Sequence, residues 1–538
     1  MDEELLPRYY CFLTCTVIWG LGFVIYHRNR RFCISVNYLT LAFLLFVGYI
    51  IVRNLFSPIN IEIWYTVGIL VFYFLCLKTP RDSVKHIDLA IVCICILQAA
   101  YGLGEFVGIF PVYSAFPILG SFDNPVGFAC CVAMGYPICL YYIYENGRIK
   151  WLGVVGALIL CSSIILSESR TAILMLLAST VLFYIVKYRN QLTKYKKVLI
   201  PTVVSVLIAI FIILFYYKPA SALGRLAIWR ITAGMIPENP VFGAGNEAFI
   251  AHYMPSQALY FTMYPDSLFS QLADNIYHPF NEYLLLAYEY GLTGLLLLVS
   301  VIFIALKYGK KESSHYLIFI SAGIGAFFSY VFSYPFIWVV VIYALANMSK
   351  STHIVKELSI RRPVYIITLC FILISGCIYS LCKDAKFEYQ WKKIASESLA
   401  GQTLKMLPEY EKLYVKWNGN PFFLYNYGAE LNHIEDYIQS QAIFAVCQKY
   451  LDSYDIQMMQ ADNFSNIHAW NDAESSYLQA ANMCPNRFLP LTGLLDVYIQ
   501  TQNDVSAHNV ANDILSKEIK IHSNITIDAI NKAKAYLY

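Results

Sequence analysis

The chain has 538 residues, of which 58% are hydrophobic, 16% aromatic and only 14% charged, with a net charge of +3 and a mean hydropathy of +0.52. Soluble proteins carry about 25% charged residues, so this composition excludes an ordinary water-soluble enzyme. Disorder, which needs low hydrophobicity and high net charge, is excluded by the same figures. What remains is an integral membrane protein.

A helix crosses the hydrocarbon core with about 20 apolar residues, sometimes as few as 17. On that measure spans are expected near 11–26, 35–52, 61–77, 88–104, 126–144 and 150–166. Six more are expected near 171–187, 198–216, 283–306, 315–332, 335–348 and 363–381. The acidic opening Met1-Asp2-Glu3-Glu4 does not suit a removable signal peptide. Alternate connections (27–34, 78–87, 145–150, 187–197, 307–315 and 349–362) hold 20 Lys and Arg, and the rest of 1–382 holds 6. The basic set belongs on the cytoplasmic side. Both termini, a long loop at 217–280 and the tail then face outward, in agreement with an even number of spans.

The tail, 383–538, carries a net charge of −5 against +8 for the residues before it. It has no basic cluster, so a nucleic-acid partner is not expected. Its pattern is that of amphipathic helices with a 34-residue helix-pair repeat. Ala461, Phe464, Ala473, Tyr477, Ala480 and Pro485 fall on the small, aromatic and proline positions of a tetratricopeptide unit. A shift of 34 finds Leu495, Tyr498, Ala507 and Ala511, and a shift back of 33 finds Gly428, Leu431 and Phe444. Such a repeat either binds a peptide on a concave face or caps the membrane domain. The expected fold is therefore all-α: about 12 transmembrane helices in 1–381 with an outer loop at 217–280, then a helical-repeat domain over 382–538.

Most of the 15 cysteines, among them Cys93, Cys95, Cys130 and Cys131, sit in apolar runs. There Cys packs as a small hydrophobe, and no zinc or disulfide spacing is present. No paired carboxylate motif occurs in the outward loops, so no metal site is expected.

Outer charge is scarce, which makes the residues that carry it informative. Ser167-Glu168-Ser169-Arg170-Thr171-Ala172 brings Arg170 to the membrane edge. The long loop opens with Arg225, Trp229 and Arg230, and in a helix Arg225 and Trp229 share a face. Two readings stay open from these residues alone: arginines snorkelling to headgroups, or a guanidinium clamp for phosphate. Pro240 to Asn246 includes Gly243 and Gly245, which permit a tight turn. The loop ends with His278-Pro279-Phe280-Asn281-Glu282-Tyr283. Proline favours the first helical position, so His278 is expected to cap the next span. There the helix terminus favours a neutral ring, and a bound diphosphate opposes it. Glu289 lies about two turns into that span, on the face of Glu282, and a carboxylate at that depth needs a partner or a cavity.

In order, Ser169 to Ala172, the Arg225–Trp229 pair, the Pro-x-x-Gly-x-Gly ending at Gly245, and His278 to Gly294 ("HPFNEYLLLAYEYGLTG") resemble the superfamily of O-antigen ligases, O-antigen polymerases and protein O-oligosaccharyltransferases. One position departs from the family pattern: the residue before Asn281 is usually histidine and here is Phe280, with His278 two residues earlier. The resemblance implies a glycosyltransferase of the bacterial inner membrane with its C-terminal domain in the periplasm. It would move a glycan from undecaprenyl diphosphate to a hydroxyl of lipid A core or of a protein Ser or Thr. It further implies an inverting, metal-independent reaction without a cofactor, with membrane lipids around the donor. Arg170 and Arg225 would act with His278 as catalytic groups, the arginines stabilising the leaving diphosphate and His278 taking the acceptor's proton. Substrate binding would fall to Arg230, Trp229, Asn281, Glu282, Glu289, Gly243 and Gly245. The alternatives are a polymerase joining lipid-linked repeats and a non-enzymatic scaffold.

Overall fold

In the computed structural model the described residues are 5–27, 32–55, 61–112, 116–192, 218–352, 354–360 and 364–538, with isolated positions between 201 and 216. They form two compact units. The first comprises residues 1–56, 60–217 and 280–382; the second comprises 57–59, 218–279 and 383–538.

The first unit is a helical bundle. Its opening elements are α1 (Leu5–His27), β1 (Phe32–Asn37), α2 (Tyr38–Asn54), α3 (Ile61–Lys78) and α4 (Arg81–Phe106). Then come α5 (Pro125–Ala133), α6 (Tyr136–Tyr142), α7 (Arg148–Leu166) and α8 (Arg170–Lys187). Among the described residues five helical stretches are long and apolar enough to cross a membrane: 81–106, 125–142, 148–166, 170–187 and 282–308. Shorter apolar helices lie at 38–54, 63–78, 314–328 and 335–349. The span expected at 198–216 falls, apart from isolated positions, outside the described residues. The expectation at 35–52 needs one adjustment, because 32–37 is a strand and the helix starts at Tyr38. Asn37 explains that start: its side chain accepts from the Thr40 N–H at 2.8 Å and so caps the helix.

In lipid, helices associate through close packing and shared hydrogen bonds, not through expulsion of water. The basic end of the bundle is held this way. β1 pairs antiparallel with β2 (Ile354–Ile360), Phe32 opposite Ile360. Asn37 donates to the Ser349 carbonyl at 2.7 Å, and Lys350 Nζ donates to the Thr79 carbonyl at 2.9 Å. Asp88 accepts from Tyr343 at 2.9 Å and lies 3.1 Å from His315 Nε2. These contacts join the 27–34, 78–87, 307–315 and 349–362 connections, which the Lys and Arg count groups on one side.

The second unit begins with two helices of the long loop, α9 (Pro219–Met235) and α10 (Ala248–Met263). The tail supplies hairpins from 421–433 with 437–447, 454–466 with 470–483, and 489–500 with 504–516, followed by 524–537. The repeat read from side chains recurs in the backbone. Each hairpin turns through one left-handed residue, Glu435, His468 or Gln502, spaced 33 and 34 apart. After it, Asp436, Ala469 and Asn503 donate to the carbonyls of Leu431, Phe464 and Tyr498, at 3.0, 2.8 and 2.9 Å. The small positions Ala461, Ala473, Ala480, Ala507 and Ala511 are fully buried, so neighbouring helices meet at backbone distance.

Candidate functional site

In the first unit the motif residues gather at the end of the bundle opposite the sheet. A three-residue turn, 167–169, joins α7 to α8, with Glu168 in the left-handed region at φ 55° and Ser169 capping α8. Arg170 is thereby the first residue of that helix. A cation there opposes the partial positive charge of the helix terminus, so helix stability does not account for it. Terminal N–H groups and a guanidinium are the parts from which an anion site can be built.

The junction 278–283 differs from its expectation. The cap of the next helix, α11 (Glu282–Tyr308), is Asn281, whose Oδ1 accepts from the N–H groups of Tyr283 and Leu284, both at 3.0 Å. His278 therefore lies three residues outside the cap and Pro279 is not the first helical residue. Helix polarity consequently does not govern the imidazole. Asn281 is buried, which suits a cap more than a substrate contact. Glu282 Oε1 accepts from the Phe332 N–H at 2.8 Å. Glu289 is buried two turns farther along.

The two glycines after Glu289 have different reasons. Gly291 (φ 69°, ψ −177°) breaks the helix, a conformation that disfavours any residue with a Cβ. Tyr49 donates to the Tyr290 carbonyl at the break, at 2.7 Å. Gly294 serves close approach: a Cβ there would stand 3.3 Å from the Tyr49 ring.

Beside this junction is a polar cluster that reading outer charge for arginines passes over. Asp123, Asn124 and Pro125 open α5. Asn124 caps it by accepting from Gly127 at 2.8 Å, and its amide nitrogen lies 2.7 Å from the Tyr330 hydroxyl and 2.5 Å from that of Tyr334. Tyr334 donates to Asp123 at 3.1 Å. Phe280, left-handed at φ 53°, packs its ring edge-on to Tyr330 at 5.3 Å. Gly127 admits Tyr334, since a Cβ there would meet its ring. The signal that could have found the cluster is an acid followed by a cap-and-proline start, Asp-Asn-Pro, in a connection expected to face outward.

In the second unit Arg225 and Trp229 lie on α9, one turn apart. Trp229 Nε1 donates to the Pro279 carbonyl at 3.0 Å, which ties that helix to the residue after His278. Arg230 is exposed, its guanidinium over the rings of Tyr260 and Tyr264 at 5.6 and 5.8 Å. Gly243 and Gly245 both have positive φ, 75° and 111°, and nothing lies within 4 Å of a Cβ at Gly245. At Gly245 the turn itself, not close approach, requires glycine. Glu247, at φ 58°, is left-handed too.

The strap leading to His278 is fastened to the tail. Asn486 donates to the carbonyls of Gln271 and Ala273 at 3.1 and 2.8 Å. Arg487 pairs with Asp274 at 2.9 Å, and Asn275 donates to Asp455 at 2.9 Å. Gln257 of α10 donates to Asp274 and Met483 carbonyls at 3.0 and 2.7 Å.

Residues 155–299 match the family model described as O-antigen ligase, and all four motifs lie inside that range. No curated protein matches the chain. Among solved structures, a chain of the crystal structure of the APC/C hetero-tetramer Cut9–Hcn1 is similar at 10% identity. That alignment covers 88% of this chain and 74% of that one with a TM-score of 0.24, too low to carry an argument. The resemblance read from the motifs thus holds: over residues 155–299 the chain carries an O-antigen ligase domain, that of a membrane glycosyltransferase.

Proposed function

We propose that the protein transfers a glycan from undecaprenyl diphosphate to a hydroxyl acceptor, lipid A core or a protein Ser or Thr, on the outer face of a bacterial inner membrane. The observation that carries the reading is the ordered set of four motifs inside one O-antigen ligase domain, with Arg170 heading a helix whose terminus does not favour a cation. The twelve-span layout with the tail in the periplasm goes with it, supported by the grouping of basic connections at one end of the bundle.

The leaving group is a diphosphate, so negative charge builds on its bridging oxygen as the glycosidic bond breaks. Arg170 and Arg225 stabilise that charge, and Arg230 and Trp229 hold the headgroup. Direct attack by the acceptor oxygen inverts the anomeric carbon. The acceptor's proton goes to a base on the outer face, either His278, as the resemblance implies, or a carboxylate of the first unit.

The test is glycan transfer in a host expressing wild type, Arg170→Ala and Arg225→Ala at matched membrane levels. A fall of about 100-fold or more in both, with lipid-linked donor accumulating, is expected from loss of a charge-stabilising donor. Unchanged transfer in both variants returns the scaffold reading to first place.

A further inference from the structure

Resting on the transferase reading, the geometry points to Asp123 as the group that takes the acceptor's proton, with Tyr334 and Asn124 as its positioning residues. The reaction needs a base at the outer end of the first unit, where Arg170 lies. Helix direction brings Asp123 to that end. α5 with α6 runs antiparallel to α7 across the short turn 143–147, and α7 runs antiparallel to α8 across 167–169. The starts of α5 and α8, which pack together, therefore share one end of the bundle.

Two other carboxylates of the first unit, Glu105 and Glu282, are committed to backbone. Glu105 Oε2 accepts from the N–H groups of Leu119 and Gly120 at 2.8 and 2.6 Å. Glu282 accepts from Phe332. Asp123 is instead held by side chains, the Tyr334 hydroxyl and the Asn124 amide at 3.0 Å, and it is half-buried and so reachable. A carboxylate has about four lone-pair sites, so these donors fix its direction and leave capacity for a substrate hydroxyl. Phe280 closes the cluster from the side of Asn281, through Tyr330.

The step balances. The acceptor oxygen forms a bond to the anomeric carbon while the bond to the diphosphate oxygen breaks, and that electron pair leaves with the diphosphate. The acceptor proton passes to Asp123 and then to water. Tyr334, Tyr330 through Asn124, Cys131 on α5 and Arg8, stacked on Phe122 at 4.4 Å, are the titratable and charged groups set beside Asp123.

The test measures initial rates against pH for the full chain in vesicles with lipid-linked donor, for wild type, Asp123→Asn, Asp123→Glu and Tyr334→Phe. Asp123→Asn is expected to lower kcat about 100-fold or more, the range for general-base loss, with acceptor KM within about twofold. It should also lose the acidic limb of the pH profile, and Asp123→Glu should regain part of both. Tyr334→Phe keeps the carboxylate but removes a donor that favours its ionised form, so the acidic limb should move to higher pH. A wild-type limb and kcat retained in Asp123→Asn would overturn the assignment while leaving the transferase reading intact. So would an unshifted limb in Tyr334→Phe, which also serves if the Asn variant fails to accumulate. Absence of transfer by wild type with every acceptor would overturn the transferase reading and this assignment together.

Discussion

Removing the Asn486 side chain should release the strap that leads to His278. Asn486→Ala deletes two hydrogen bonds, to the Gln271 and Ala273 carbonyls. Each is worth about 1 kcal/mol net, and more if the carbonyl stays dry, so docking of 271–277 weakens by about 2 kcal/mol. That is roughly a 30-fold rise in the detached fraction, since each 1.4 kcal/mol is tenfold. Arg487→Ala removes an ion pair, but its side chains are 38% and 63% exposed. A pair so exposed contributes about 0–1 kcal/mol, and the stacking of Arg487 on Tyr454 at 4.2 Å adds about 0.5–1 kcal/mol. The neutral amide should therefore matter more than the charge. Hydrogen exchange of 264–279 in the detergent-solubilised chain, beside transfer rates, reads this directly. Faster exchange in Asn486→Ala than in Arg487→Ala, with kcat falling in the same order, is expected. The reverse order, or protection unchanged in both, refutes the idea that the tail holds this strap in place.

Burial pushes the Asp452 carboxyl up to about 6, against side-chain donation from Gln457 and Gln448. Its folded value lies above the ordinary value of about 3.9, so the folded tail binds the proton more tightly and stability falls as pH rises from about 4 to about 6. Asp452→Asn should remove that fall, stabilising the tail by on the order of 3 kcal/mol at pH 7.5 and by nothing near pH 3.5, read from thermal unfolding at both pH values. Gly291→Ala forces a Cβ into the left-handed region, and about 1–2 kcal/mol of destabilisation is expected in thermal unfolding of the solubilised chain. Asn281→Ala removes a cap that accepts two N–H groups and should cost about 1 kcal/mol in the same assay, with donor-binding affinity unchanged if capping is its whole role.

Much of this was legible in the sequence because the relevant signals are local. Span positions follow from runs of apolar residues, and Arg170 is visible because a cation on the side expected to face outward is rare. The tail repeat is carried by alanines and aromatics at fixed spacing. The start of α11 was not legible in the same way. Pro279 suggests the first helical position, but the left-handed Phe280 puts a turn between it and the helix, and Asn281 takes the cap. A preference of proline loses there to the two hydrogen bonds that Asn281 accepts. Asp123 was hidden for another reason. Its neighbours Tyr330 and Tyr334 are more than 200 positions away, and two tyrosines in an apolar stretch read as core. The strand at 32–37 was obscured likewise, since its partner lies past residue 353.

That strand has a consequence for how the chain is made. β1 leaves the ribosome ahead of β2, with some 320 positions between them. At about 5–20 residues per second, β1 waits roughly 15–60 s for its partner. During that interval its backbone N–H and C=O groups form an open edge, able to pair with another nascent chain. The bundle is thus sealed by two segments far apart in sequence, and truncation before residue 354 would leave a polypeptide with the spans between them present and an adhesive strand at its basic end.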